Sequence, residues 1–157
     1  MDRSRLHRFI GQPLAELPLV KPVVVSPSQS VRNAVDLMRD GSCSCVLAMD
    51  HERLAGIFTE RDVLTKCMAP GFDWDQPLEK SVLTKAPRTI EAKSSVGEAV
   101  ALMQQQQHRT LPVTDGDRVI GLVRIGDLLT RFAEAFPEDV LNLPPRPHQV
   151  MARQEGG

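Results

Sequence analysis

The chain has 157 residues, 41% of them hydrophobic, and a formal net charge of −1 from nineteen basic and twenty acidic side chains. That length supports one compact core and is short for two independent domains of ordinary size. Near-neutral charge leaves no global field to gather nucleic acid or an anionic membrane, so neither is an expected partner and any anion site must be local.

The first eight residues, Met1-Asp2-Arg3-Ser4-Arg5-Leu6-His7-Arg8, lack the apolar run of a secretory signal. No later stretch approaches the roughly twenty apolar residues of a membrane span. The expected compartment is the cytoplasm, and Cys43, Cys45 and Cys67 are expected as free, mostly buried thiols. After a short strand at Pro22-Val23-Val24-Val25, the residues Val31, Ala34, Val35 and Met38 make the i, i+3, i+4, i+7 stripe of a helix with one buried face, N-capped by Ser30. Two apolar runs, 45–49 and 54–58, then flank Asp50-His51-Glu52-Arg53, and a second helix begins near Thr59. A connector follows that contains Pro70, Gly71 and Pro77, and its Trp74 either pins it to the body or faces a partner.

The same order then returns. A strand at Pro87-Arg88-Thr89-Ile90 precedes a helix carrying Val96, Ala99, Val100 and Met103, where Ser95 and Glu98 form a capping box. Gln104 to Gln107 continue that helix as its solvated face. Runs at 111–114 and 119–123 surround Asp115-Gly116, a hairpin signal, and another helix starts near Arg124. Past Phe136 the chain is rich in proline and has no periodicity, as in an extended tail.

Positions 31–64 return as 96–129 with every matched pair 65 apart (96 − 31 = 65), and ten of the thirty-four pairs are identical. The identical residues of the first copy are Val31, Ala34, Val35, Leu37, Met38, Asp50, Arg53, Gly56, Asp62 and Leu64. Two copies of a long unit point to a pseudosymmetric pair, since a solenoid needs at least three stacked repeats. The expected fold class is α+β and sandwich-like, with two β-α-β-β-α units packed through their sheets. The corresponding division is an N-terminal segment (1–15), a first unit (16–67), a connector (68–80), a second unit (81–133) and a flexible C-terminal tail (134–157).

The helix stripe, Arg109-Thr110-Leu111-Pro112-Val113-Thr114-Asp115, Gly121-Leu122-Val123 and Gly56-Ile57-Phe58-Thr59-Glu60-Arg61-Asp62-Val63-Leu64 together resemble the CBS domain, which occurs in tandem pairs called Bateman modules. The resemblance covers roughly 16–132. It implies a stand-alone regulatory module, not an enzyme, that binds an adenosine-containing ligand between the copies and signals to a separate effector protein. AMP, ADP or ATP are favoured over S-adenosylmethionine because the residues that would meet the ligand add local positive charge. Family members commonly form homodimers, for which Leu37, Leu64, Leu102, Leu128 and Leu129 offer apolar surface.

By the same resemblance, the ligand site comprises Thr59, Arg61, Asp62, Lys85, Ala86, Pro87, Arg109 and Thr110. Asp62 would accept the two ribose hydroxyls, one on each oxygen. Thr59-x-x-Asp62 is also an ordinary helix cap, and both roles are compatible with the residues. A second, weaker site would comprise Lys21, Pro22, Ser44, Cys45, Arg124 and Asp127. There Arg124 replaces the threonine and pairs either with a phosphate or with Asp127, in which case the cleft is plugged. The alternative reading is a structural or protein-interaction module with degenerate sites. Cys43-x-Cys45 with His51 and His108 lacks metal-site spacing, so no metal is expected, and no catalytic pair accompanies Cys67.

Overall fold

Helix positions follow from caps and stripes. In the computed structural model, which describes residues 2–137 and 140, the Ser30 hydroxyl accepts from Asn33 N and opens α2 (Val31–Asp40). The Ser95/Glu98 capping box opens α5 (Val96–Gln106). Most of the expected C-terminal tail lies outside the described residues. The other elements are α1 (Arg3–Gly11), β1 (Val24–Val25), β2 (Cys45–Asp50), β3 (Arg53–Thr59), α3 (Glu60–Asp62, continued by a π-helical turn, Val63–Cys67), α4 (Leu78–Ser81), β4 (Thr84–Lys85), β5 (Ile90–Glu91), β6 (Thr110–Asp115), β7 (Arg118–Arg124) and α6 (Ile125–Ala135).

Two sheets result, ordered β1-β2-β3-β4 and β5-β6-β7. In each, the leading strand pairs parallel to the first hairpin strand and the hairpin is antiparallel. His51 and Gly116, at matched repeat positions, both take left-handed backbone (φ 55 and 61) in the two hairpin turns. Strand alternation then assigns the faces. Val46, Ala48 and Phe58 pack on Val31, Ala34 and Met38 of α2, and Leu111, Val113 and Val123 pack on Val96, Ala99 and Met103 of α5. Cys45, Leu47, Leu54 and Ile57 point the other way and meet Val20, Val119 and Leu122, so the two sheets are joined face to face.

One arrangement was not apparent from the 65-residue offset. Gln12-Pro13-Leu14 recurs as Gln76-Pro77-Leu78 at an offset of 64 (76 − 12 = 64), and each copy of this leader packs on the other unit. Gln12 O accepts from Val96 N and Gln76 O accepts from Val31 N. Leu14 and Leu17 belong to the core of the second unit, whereas Leu78, Val82 and Leu83 belong to the core of the first. Downstream, Val20 bridges Leu122 of β7 and Thr84 pairs with Ile57 of β3, the same register once the 64-residue offset is applied. The end of the expected connector is therefore core-forming structure. The N-terminal segment is ordered too: α1 lies on α5, where Ile10 occupies the space a side chain at Gly97 would need. Phe9 packs edge-on against Phe132 and Phe136.

Three further differences concern side chains and helix length. The second helix of the first unit holds only one α-turn before the π-turn, in contrast to the eleven regular residues of α6. Trp74 is half-buried, stacks edge-on with Phe72 at 5.1 Å and lends its carbonyl to Arg32 N, so it pins the connector to the body. Of the leucines expected on a dimer face, Leu128 is buried in the core of the second unit, Leu102 packs against that core and Leu37 against the core of the first, leaving Leu64 (69% exposed) and Leu129 (61%) outward.

Gly56 and Gly121 share one physical reason. A Cβ on Gly56 would stand 2.6 Å from Leu83 Cγ and 2.7 Å from Thr84 O, and one on Gly121 would stand 2.6 Å from Leu19 Cβ. Each glycine admits the exchanged leader against the sheet. Gly56→Ala is expected to lower stability by about 1–3 kcal/mol through overpacking. Gly126→Ala, in α6 with open space around it, should raise stability by about 0.5–1 kcal/mol. Denaturant unfolding of the two variants measures both.

Candidate functional site

The face-to-face packing leaves a cleft of about 360 Å³ between the units. One wall is the end of the first hairpin and the turn into α3: Ser44, Cys45, Ile57, Thr59, Glu60, Arg61 and Asp62. The exchanged leader supplies Thr84, Ala86, Pro87 and Arg88, and the second unit supplies Gln107, His108, Arg109, Thr110 and Pro112. Of the first expected set, all but Lys85 line the cleft. Ser44 and Cys45, grouped from the sequence with Arg124 and Asp127, stand in this cleft instead, because Cys45 pairs with Thr59 across the β2–β3 ladder. Lys21, Pro22, Arg124 and Asp127 are outside its lining.

Asp62 is the organising group. It is 8% exposed, and with Thr59 it forms a reciprocal cap. Thr59 N and Thr59 Oγ1 both donate to Asp62 Oδ2 at 2.9 Å, while Asp62 N donates to Thr59 Oγ1 at 3.2 Å. Its other oxygen receives Lys66 Nζ at 2.7 Å. Lys66 was not among the expected residues, although its i, i+4 spacing from Asp62 is a sequence signal for such a pair.

Arg88 was also overlooked, and the mismatch between the two leaders explains it. Lys21-Pro22 of the first leader corresponds to Lys85-Ala86-Pro87 of the second, so Ala86 is a one-residue insertion where the offset changes from 64 to 65. Ala86 takes left-handed backbone (φ 46), as does Gln107 (φ 54) across the cleft. For an alanine that conformation costs about 1–2 kcal/mol. The inserted residue lets Pro87 and Arg88 line the cleft, and the counterpart of Arg88 is Val23. Three arginines, Arg61, Arg88 and Arg109, thus line one cleft with the less polar Cys45, Ile57, Pro87 and Pro112.

In the second unit Arg124 pairs with Asp127. Its guanidinium donates from Nε to Asp127 Oδ2 at 2.7 Å and from Nη2 to Asp127 Oδ1 at 2.9 Å. This bidentate hydrogen bonding also raises the arginine pKa from its ordinary value. Arg124 occupies the position of Thr59, so the carboxylate of this copy is covered from its N-terminal side. Among the described residues no three His, Cys, Asp or Glu side chains converge on a metal position, and no helix is long and apolar enough to cross a membrane.

The CBS domain family model matches residues 14–69 and 80–134, and the chain belongs to that family as a tandem pair. CBS domain-containing protein YhcV of Bacillus subtilis is 31% identical over 104 residues, which are 66% of this chain and 74% of YhcV. Against protein MK0525 of Methanopyrus kandleri the identity is also 31%, over 54% of that protein's length. A solved structure of a CBS-domain protein from Burkholderia ambifaria superposes with a TM-score of 0.69 at 31% identity, covering 80% of this chain and 93% of that one. CBS domain protein PAE2072 from Pyrobaculum aerophilum, complexed with AMP, superposes with a TM-score of 0.68 at 20% identity over 78% of this chain and 99% of that one.

Burial pushes the Cys45 thiol up to about 11, with Cys43 adding to the shift and Arg124 opposing it. Burial likewise raises Cys67, and Asp62 adds to it. At pH 8 an aromatic disulfide reagent should therefore react quickly with one thiol per chain, Cys43, and with the other two only after denaturation. The folded pKa of Cys45 lies above its unfolded value. Its contribution to stability is thus complete below pH 9 and is lost as the pH rises towards about 11. Cys45→Ala should flatten the fall of melting temperature across that window.

Proposed function

We propose that the chain is a regulatory, ligand-sensing CBS pair of the cytoplasm. It binds an adenine nucleotide in the Thr59/Asp62 cleft and passes occupancy to a separate effector protein. The observation that carries this reading is the convergence of three chemistries in one cleft. The Asp62 carboxylate suits a ribose diol, Arg61, Arg88 and Arg109 suit phosphates, and Cys45, Ile57, Pro87 and Pro112 suit a flat base. The AMP complex of PAE2072 supports AMP as a first ligand to try, the fold being what the two chains share at their identity. Three lining arginines favour a nucleotide over the sulfonium-bearing S-adenosylmethionine, because like charges repel. The exposed Leu64 and Leu129, related by the repeat, favour a homodimer.

The second reading, a structural module with closed sites, is favoured only in the second unit, by the Arg124–Asp127 pair. Both members of that pair are well exposed, at 40% and 38% of the side chain. Such an exposed pair contributes at most about 1 kcal/mol to stability, so replacing Arg124 costs the fold little.

Thermal shift and calorimetry against AMP, ADP, ATP, GTP and S-adenosylmethionine test the reading. A ligand at a hundredfold its Kd should add about 2.7 kcal/mol of stability, Asp62→Ala should abolish the effect, and no response at millimolar concentration would sink the sensor. Arg88→Gln should weaken ATP relative to AMP by about tenfold through loss of a charge-assisted hydrogen bond. Arg124→Thr, which restores the threonine cap, should raise the stoichiometry from one to two. An unchanged stoichiometry would mean that the ion pair is not what closes the second site.

A further inference from the structure

We infer that Lys66 is a positioning residue for diol recognition at Asp62, and that it ties this recognition to the exchanged strand β4. The inference rests on the reading of the cleft as a ribonucleotide site. Asp62 already accepts four donors: Thr59 N and Thr59 Oγ1 on Oδ2, Lys66 Nζ on Oδ1 at 2.7 Å, and Thr84 Oγ1 on Oδ1 at 3.5 Å. A carboxylate has about four lone-pair positions. The group is saturated before any ligand arrives.

These donors differ in how easily they leave. Thr59 N–H is fixed by the backbone, and Lys66 brings a full charge at short range. The two threonine hydroxyls rotate about a single bond, and the Thr84 contact is at the long limit of a hydrogen bond. A vicinal diol therefore enters by replacing hydroxyls, Thr59 Oγ1 on one carboxylate oxygen and Thr84 Oγ1 on the other. Lys66 stays. It lies outside the lining of the cleft, so it orients the carboxylate from behind without blocking the ligand.

The remaining donors of the Lys66 ammonium go to the exchanged segment. They reach Val82 O at 2.8 Å and Thr84 Oγ1 at 3.3 Å. An ammonium has three donors, and all three are committed, one to the recognition carboxylate and two to the leader of the other unit. Once the Thr84 hydroxyl leaves Asp62 it still accepts from Lys66 and turns its proton to the ligand. Occupancy thus alters the hydrogen bonding of β4, whose register on β3 was set by the leader exchange. The contrast with the second unit is geometric. There the cation partner of the carboxylate comes from three residues before it and stands in the place of Thr59, whereas Lys66 comes from four residues after.

The test is calorimetric titration of the full chain with AMP and with 2′-deoxy-AMP, together with hydrogen exchange at residues 82–85, for the wild type, Lys66→Met and Lys66→Arg. The wild type should prefer AMP. Lys66→Met should lose about tenfold in AMP affinity and much less for the deoxynucleotide, so that the preference collapses, while Lys66→Arg keeps part of it. The AMP-dependent change in exchange at 82–85 should disappear in Lys66→Met. An equal loss for both nucleotides, or a retained preference, overturns the inference, as does a wild type that binds both alike. Should Lys66→Met fail to fold, Lys66→Gln, which keeps an amide donor, carries the same comparison. A wild type that binds no nucleotide overturns the functional reading and this inference together, whereas binding whose diol preference ignores Lys66 overturns this inference alone.

Discussion

The reciprocal exchange of leaders is the constraint on which the rest of the structure depends. Residues 12–20 complete the second unit, residues 76–85 complete the first, and neither unit has a closed core without the other's leader. The exchange also decides which backbone groups are satisfied. The first N–H groups of α2 and α5, orphans of any helix start, donate to the carbonyls of Gln76 and Gln12 in those leaders and of Trp74 in the connector. Gly56 and Gly121 are the sites of closest approach, and a side chain at either would push the leader off the sheet. Their identity across the repeat follows from this crossing, which each unit makes once.

Asymmetry enters where the leaders cease to match. Ala86 adds one residue to the second leader and accepts a left-handed conformation to do so. The strain falls in the cleft wall, where sparsely populated backbone conformations tend to collect at functional sites. It lets Arg88 into the lining, while Val23 in the first leader packs against the core of its own unit. A second break lies on the helices. Gly97 gives α1 a seat on α5, but its counterpart Arg32 carries a long side chain that pairs with Asp75 of the connector at 2.9 Å. One helix start is thus covered by the N-terminus of the chain and the other by the connector.

The sequence makes the symmetric part legible and hides the exchange. Apolar stripes, serine caps and the hairpin turns are local signals read at periods of 3.6 and 2, and they lead to the two β-α-β-β-α units directly. The fixed offset of 65 exposed Gly56, Asp62 and their mates. That same fixed offset concealed Gln12-Pro13-Leu14 against Gln76-Pro77-Leu78, since one inserted residue moves them out of register. Lys66 was obscured differently. A lysine four residues past an aspartate on a helix is commonplace on surfaces, and only burial of the carboxylate turns it into a partner. The pairing chosen by Arg124 was beyond sequence reasoning altogether, because a long side chain with several rotamers is oriented by its surroundings.

These features make the position of a cation beside a carboxylate decisive. Both units keep an aspartate one turn into the helix after the hairpin, and both neutralise it. In the first unit the charge arrives from the C-terminal side, on a side chain anchored to the leader, and two of the carboxylate's other three donors are rotatable hydroxyls. In the second the charge arrives from the N-terminal side and covers the carboxylate from there. What differs between the two units is the direction of the salt bridge, set by whether the residue that ends the hairpin is a threonine or an arginine.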